Sequence, residues 1–312
     1  MIYNFRLLVY QGEKTVPQVS VIIPVYNGEK YIKESINSVL NQTFKDLEIV
    51  VVNDASTDST EKVIFENFRN EIKSKKIIYY KNPKNMERSY SRNKGYSISS
   101  GKYIFFLDYD DEWDKDYISE SVKYLTDNDI VYSFPRTFID SNGNIKRVSS
   151  KKLPEDVGKI IFSGNIGYPS ASGFNRNSFL MYDENLSYRE DWELFVRSFL
   201  LGFKIKVLDN NKVKIREHSG RTSKKNLDML LNTVLIYKKY KNLIPDKYIN
   251  YIKFHLGDMY LRYGDLPKGW KYILQSFKEK DLLTFKNIIT LLKRGFRIDK
   301  YLSYYSLKRM VL

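Results

Sequence analysis

Two clusters of carboxylates in this 312-residue chain have the types and spacing to do chemistry. The first is Asp108-Tyr109-Asp110-Asp111, which follows an apolar run at 102–107. Alternate residues of an extended segment point the same way, so Asp108 and Asp110 could share one divalent cation. Mg²⁺ and Mn²⁺ prefer such oxygen ligands and bridge them to substrate phosphates. A solvated turn, or a cap for a helix starting near Asp114, would use the same residues. The second cluster is Glu190-Asp191, at the head of a helical pattern that Gly202 ends. Carboxylates are also favourable there because they offset the helix dipole. Asp54 closes a further polar turn, and His218 stands in Arg216-Glu-His-Ser-Gly-Arg221-Thr-Ser.

The elements that must position these groups alternate. Residues 19–25 (VSVIIPV) predict a buried strand, which Asn27-Gly28 breaks. Residues 29–40 then place Ile32, Ile36, Val39 and Leu40 at helical spacing. Strands are predicted over 48–52, 76–80 and 102–107, and helices over 59–72 and 87–99. This alternation predicts an α/β fold with a mostly parallel sheet and right-handed crossovers. Ligands of such sheets bind beyond the carboxyl ends of the strands. Those ends carry Tyr26-Asn27, Asp54 and Asp108–Asp111, without a Gly-x-Gly-x-x-Gly or a P-loop. That argues against a dinucleotide or P-loop site. It suggests a bound cation and a nucleotide held by hydrogen bonds. Further on, 129–136 and 136–148 read as strands about the turn at 141–144, and 151–172 reads as loop. A helix over 190–201 and short strands over 204–208 and 212–216 follow. From Lys224 only helical patterns remain.

Six segments occur in order: Pro24-Val-Tyr-Asn-Gly-Glu, Ser38-Val-Leu-Asn-Gln-Thr-Phe, Glu48-Ile-Val-Val-Val-Asn-Asp-Ala-Ser-Thr-Asp, Ser91-Arg-Asn-Lys-Gly, Gly101-Lys-Tyr-Ile-Phe-Phe-Leu-Asp-Tyr-Asp-Asp and Arg189-Glu-Asp-Trp-Glu-Leu. Together they resemble the family 2 inverting glycosyltransferases of the GT-A fold, across residues 18–223. The resemblance implies a Rossmann-like GT-A domain and roles for matching residues. Pro24, Tyr26 and Asn27 would line the base and ribose pocket, and Asp54 would hydrogen-bond the base or ribose. Arg88 or Arg92 would lie near the diphosphate. Asp110, Asp108 and His218 would hold Mn²⁺ or Mg²⁺, with Asp110 the more direct ligand. Asp191, beside Glu190, would be the general base that takes the acceptor proton. The cation and an Arg or Lys would stabilise the departing diphosphate, and Arg221 would approach it from the closing segment. Direct displacement inverts the anomeric configuration. Two departures from the family pattern bear on the acceptor side. Arg216-Glu-His218 lacks the aromatic common between Arg and His, and no Gly precedes Tyr182-Asp183-Glu184.

The implied activity is hexosyl transfer from a nucleotide-diphosphate sugar, a UDP-sugar foremost, to a glycan or lipid-linked acceptor. Cell-surface polysaccharide or glycoconjugate synthesis is the setting implied. A sugar-phosphate nucleotidyltransferase is the alternative enzyme. It usually carries a Gly-rich stretch with Arg and Lys after the first strand, where this chain has Tyr-Asn-Gly-Glu.

Composition bounds the rest. Lys and Arg number 52 and Asp and Glu 37, a net charge of +15. Residues 1–211 carry 29 of each sign, so the entire excess lies in the last third. A nucleic-acid-binding protein is the non-enzymatic alternative such a tail raises, but the balanced remainder fits it poorly, and no nucleic-acid partner is expected. No Cys is present, which excludes thiolate chemistry and Cys-bound metals. No apolar run is long enough to span a bilayer, and MIYNFRLLVYQGEK does not read as a signal peptide. A cytoplasmic protein is expected, peripheral at the inner membrane face, since 288–312 mixes Leu, Phe and Tyr with Lys and Arg as interfacial helices do. An acceptor or protein partner could meet the same region. Residues 256–269 resemble one tetratricopeptide unit, and His255 beside them reads as core or surface filler. The expected organisation is an arm at 1–17, a transferase domain at 18–223 and a basic all-α region at 224–312.

Overall fold

The computed structural model describes residues 16–218, 227–282 and 284–296. The arm at 1–15, the expected boundary near 223, Arg221 and the last part of the basic tail lie outside them.

The first half follows the predicted alternation: β1 (Val19–Val25), α1 (Ile32–Leu40), β2 (Leu47–Asn53), α2 (Thr60–Asn67), α3 (Arg69–Lys73), β3 (Ile77–Lys81), α4 (Glu87–Ile98) and β4 (Tyr103–Phe106). The single helix predicted over 59–72 is two, because the buried Phe68 leaves helical geometry between them. Then come β5 (Glu112–Trp113), α5 (Tyr117–Leu125), β6 (Ile130–Ser133), β7 (Thr137–Ile139), β8 (Ile145–Val148), α6 (Val157–Phe162), β9 (Ser172–Asn175), α7 (Glu190–Leu200), β10 (Ile205–Leu208) and β11 (Val213–Arg216). The described residues end in α8 (Leu227–Tyr240), α9 (Asp246–Tyr263), α10 (Leu266–Ser276) and α11 (Phe285–Gly295).

The main sheet runs β10-β6-β9-β4-β1-β2-β3. Every pairing in it is parallel except the two that β9 makes with β4 and β6. β1, β2 and β4 are buried at every position, which explains the apolar runs at 21–25, 49–52 and 103–106, and the buried Ser20 Oγ donates to Glu48 Oε1 at 2.7 Å. A smaller sheet, β5-β11-β7-β8, lies beyond the acidic loop after β4.

The stretch 151–172, expected to be loop, contains α6 and leads straight into β9. α6 has six residues, too few to show a helical period. It is started by Asp156, whose Oδ1 accepts from the Gly158 N–H at 2.8 Å. β9 is short, and Gly173 is required in it: a Cβ there would lie 2.5 Å from the Phe105 ring.

The C-terminal helices share the core of the sheet. Ile236, Tyr240, Tyr248, Tyr251, Ile252 and Leu256 belong to the same buried cluster as Ile22 and Val50. Tyr248 stacks on Phe162 of α6 at 5.2 Å, and a Cβ at Gly158 would overlap its ring. α9 and α10 pack on each other, and Gly264 turns the chain between them in left-handed geometry. Gly257 and Gly269 let the two helices touch, since a Cβ at Gly257 would lie 2.9 Å from the Gly269 carbonyl oxygen.

Candidate active site

The parallel strands β1, β2 and β4 end side by side, and their polar loops meet. Pro24 is buried inside β1, while Tyr26, just past the strand, is exposed. Asn27 turns the chain in left-handed geometry (φ 51°). Its Oδ1 accepts from the Thr57 N–H at 2.8 Å, and its own N–H donates to Ser56 Oγ at 3.0 Å. The loops after β1 and β2 are thereby laced together. Gly28 has no room for a side chain, because the Tyr109 ring of the acidic loop would lie 2.6 Å from its Cβ. Asp54 is buried; its Oδ1 accepts from Asn82 Nδ2 at 2.6 Å and from the Met86 N–H at 2.8 Å. It therefore holds the segment that opens α4.

α4 carries Arg88 and Arg92 one turn apart. Arg92 is buried and bridges two carboxylates: Nη2 donates to Asp108 Oδ1 at 2.8 Å and Nη1 to Glu190 Oε1 at 3.0 Å. Its guanidinium also faces the Tyr182 ring at 5.1 Å. Burial opposes its charge, but Asp108, Tyr182 and Glu190 more than offset that and hold its pKa above the usual value. Arg88 is less enclosed, with Nε 3.5 Å from Glu190 Oε1 and Nη2 donating to the Ser187 carbonyl at 3.1 Å.

The acidic loop divides its labour. Asp111 is buried and structural: its Oδ2 accepts from Ser170 Oγ at 2.6 Å and its Oδ1 from the Arg216 N–H at 2.9 Å. Ser170 Oγ also accepts from the Asp108 N–H at 3.0 Å. Arg216 donates from Nε to the Asp110 carbonyl at 2.8 Å. With those anchors set, Asp110 Oδ2 meets His218 Nε2 at 2.8 Å, and the His218 ring rests against Tyr31 at 5.0 Å. Among the described residues no three His, Asp or Glu side chains converge as a ready metal cage. Asp110 and His218 instead contact each other directly, and the facing carboxylate oxygen and imidazole nitrogen are one O and one N donor. That donor set suits a Mg²⁺ or Mn²⁺ ion whose shell is completed by phosphates and water.

α7 begins with Glu190-Asp191, and the preceding Arg189 is left-handed (φ 65°). Glu190 is buried against Arg92, whereas Asp191 stays partly buried, its Oδ1 accepting from the Trp192 N–H at 2.7 Å. Burial, then the neighbouring Glu190 charge, push the Asp191 carboxyl up to about 7; Arg189 and Arg92 work against them. Such a group exchanges a proton readily at neutral pH. Gly167 (φ 135°) faces it, and a Cβ there would lie 3.4 Å from all three carboxylate atoms. A larger residue would cover the carboxylate.

The carboxylates of both clusters, singled out by type and spacing, and Arg88, Arg92 and His218, singled out through the resemblance, stand around these loops. Ser170 and Gly167, which have neither charge nor motif to mark them, and the Tyr182 ring beside Arg92 emerge only in the structure. Arg221 lies outside the described residues.

Residues 20–182 match the family model for glycosyl transferase family 2. An uncharacterised glycosyltransferase of Methanocaldococcus jannaschii is 31% identical over 282 residues, 86% of this chain and 96% of that relative. The chain belongs to glycosyltransferase family 2. This sets aside the nucleotidyltransferase and nucleic-acid readings. A second relative of this glycosyltransferase is the Escherichia coli UDP-Glc:α-D-GlcNAc-diphosphoundecaprenol β-1,3-glucosyltransferase. It is 30% identical over 209 residues, 66% of this chain and 79% of the relative. Among solved structures, S. aureus TarS 1–349 in complex with UDP-GlcNAc has a TM-score of 0.61 at 19% identity, covering 84% of this chain and 81% of that one. A Pyrobaculum calidifontis mannosyltransferase in complex with GDP-Man and Mn²⁺ has a TM-score of 0.59 at 17% identity, covering 95% and 84%. These likenesses show that the glycosyltransferase has the GT-A fold. No helix among its described residues is long and apolar enough to cross a membrane.

Proposed function

We propose that this glycosyltransferase moves a sugar from a UDP-sugar to a hydroxyl of a glycan or lipid-linked acceptor, with inversion, in cell-surface glycan synthesis. The observation that carries the reading is Asp191: a carboxyl raised to about 7, left open by Gly167 and joined through Glu190 and Arg92 to the acidic loop. Asp191 takes the proton of the acceptor hydroxyl as its oxygen attacks the anomeric carbon. The bond from that carbon to the diphosphate breaks, and the nucleoside diphosphate leaves with the electron pair. Asp110 and His218, with Asp108, would hold a divalent cation, which when bound supplies positive charge to the diphosphate. Arg88, the less buried of the two arginines, faces that charge, while Arg92 keeps the carboxylates in place. Tyr26, Asn27 and Asp54 line the nucleotide side, with Pro24 beneath them. The E. coli relative, which uses UDP-Glc and a diphosphoundecaprenol acceptor, and the UDP-GlcNAc complex of TarS support the donor and acceptor classes. The Mn²⁺ complex of the mannosyltransferase supports the cation. Ile288 and Leu292 on the basic α11, and Phe296 just past its end, are exposed one turn apart, a face suited to an anionic membrane.

Calorimetric titration with nucleotide sugars, with and without Mn²⁺, tests the donor site, and UDP-sugar binding strengthened by Mn²⁺ is expected. Asp191→Asn is expected to keep that binding and lose transfer by at least about 100-fold, the usual worth of a general base. Full transfer by Asp191→Asn would exclude the mechanism.

A further inference from the structure

His255 belongs to α9, in the basic helical region, 64 positions after Asp191, yet it reaches the head of α7. Its Nε2 lies 2.7 Å from Arg189 Nη2. A guanidinium has only donors, so Nε2 must accept, and the ring is the neutral form with its proton on Nδ1. The surroundings agree. Burial, then the cations of Arg189, Lys151 and Arg294, hold the His255 pKa well below its ordinary value. The ring is also boxed in. It meets Trp192 edge-on at 5.4 Å, and Gly164 is left-handed (φ 66°) where a Cβ would lie 2.3 Å from it. Arg189 in turn lies over the Trp192 ring at 4.5 Å and immediately precedes Glu190 and Asp191.

We infer that His255 is a positioning residue of the transfer reaction: by accepting from Arg189 it fixes that cation at the head of α7 and so sets the proton affinity of Asp191. The inference rests on Asp191 as the base. The groups around the pair are known from each side. Arg189 meets Asp191 and Glu190 on α7, and Arg262 and Tyr263 on α9. Lys151 and Arg294 face His255, and Arg92 of α4 faces Asp191. Of these, Arg189 is the cation that most lowers the Asp191 pKa. Without its acceptor, a half-sandwiched guanidinium gains by turning to water, because a buried charge needs a hydrogen-bond partner. Asp191 then loses a compensating charge and binds its proton more tightly.

The test is the pH profile of transfer by the full chain carrying His255→Phe, which keeps a flat ring beside Trp192 and Gly164 but removes the acceptor. The acid limb is expected to move up by about one pH unit, the low end of the roughly one to three units that a nearby opposite charge contributes. The rate at pH 6 then falls roughly tenfold, with a smaller loss at higher pH. His255→Gln, whose amide oxygen can stand where Nε2 stands, is expected to restore the limb. Arg189→Gln removes the cation from the other side and is expected to shift it the same way, which keeps the test valid if His255→Phe does not fold. An acid limb that stays in place in folded His255→Phe and in Arg189→Gln, or an equal loss at every pH, overturns the inference while Asp191→Asn remains inactive. Transfer by Asp191→Asn overturns the base assignment, and this inference with it.

Discussion

Glu190 and Asp191 are adjacent carboxylates with opposite surroundings. Arg92 pairs with Glu190 through a direct hydrogen bond, and the same guanidinium holds Asp108. Asp191 has no such contact with Arg92, so burial and its neighbour's charge push it up to about 7. That shift has a stability consequence of definite sign. A carboxyl whose folded pKa exceeds its unfolded value of about 4 binds its proton more tightly when folded. Stability therefore falls as the pH rises from about 4 to about 7, and the full penalty holds above that window. Asn keeps an oxygen for the Trp192 N–H and has no charge to bury. Asp191→Asn is accordingly expected to raise Tm at pH 8 and to leave it nearly unchanged at pH 4, measured by scanning calorimetry. A Tm lowered at pH 8 would mean that the charge contributes to folding.

At the scale of elements, β9 shows what sequence patterning misses. It sits between β4 and β6, both of which it pairs antiparallel, so the sheet is continuous only through it. Its four residues, Ser172-Gly-Phe-Asn175, have one large apolar member and a glycine, too little for an alternating signature. The glycine is there for space, because the neighbouring strand's Phe105 ring fills the place of its Cβ. Gly173→Ala is expected to cost about 1–3 kcal/mol by overpacking. That lowers Tm by several degrees, and a Tm equal to wild type would mean the ring moves aside freely. β1, β2 and β4 were legible for the opposite reason: both faces of each are buried, so all positions but Ser20, Glu48 and Asn53 are apolar.

At the scale of the whole molecule, the chain divides by charge but not by core. The excess of 15 positive charges begins after residue 211, yet α8 and α9 bury their apolar faces in the cluster that holds the sheet. Charge pairs cross the same seam. Glu193 of α7, fully buried, meets Arg197 at 3.0 Å and Lys239 of α8 at 3.3 Å, and Tyr240 donates to it. A chain ending at residue 226 would expose the partners of Tyr248, Tyr251, Ile252 and Leu256. Each buried side chain of that size is worth about 1.5–3 kcal/mol, and a whole domain has only about 5–15 kcal/mol. The shortened chain is expected to bind a hydrophobic dye and to lack a cooperative thermal transition. A sharp transition near the wild-type Tm would mean that the transferase part folds alone.

The sequence by itself determined the parallel core, the acidic loop at the end of β4 and the carboxylates at the head of α7. Those are local facts: apolar runs mark buried strands, and ionisable types at strand and helix ends declare themselves one segment at a time. Tertiary structure alone decided which groups share a charge and which stay open. Arg92 pairs with Asp108 and Glu190 across 16 and 98 positions, and His255 meets Arg189 across 66. Contacts at such separations follow from how strands and helices stack, and no local pattern encodes them. Proton affinity, and with it the division of labour between Glu190 and Asp191, is set by those contacts because it depends on burial and on the charges nearby.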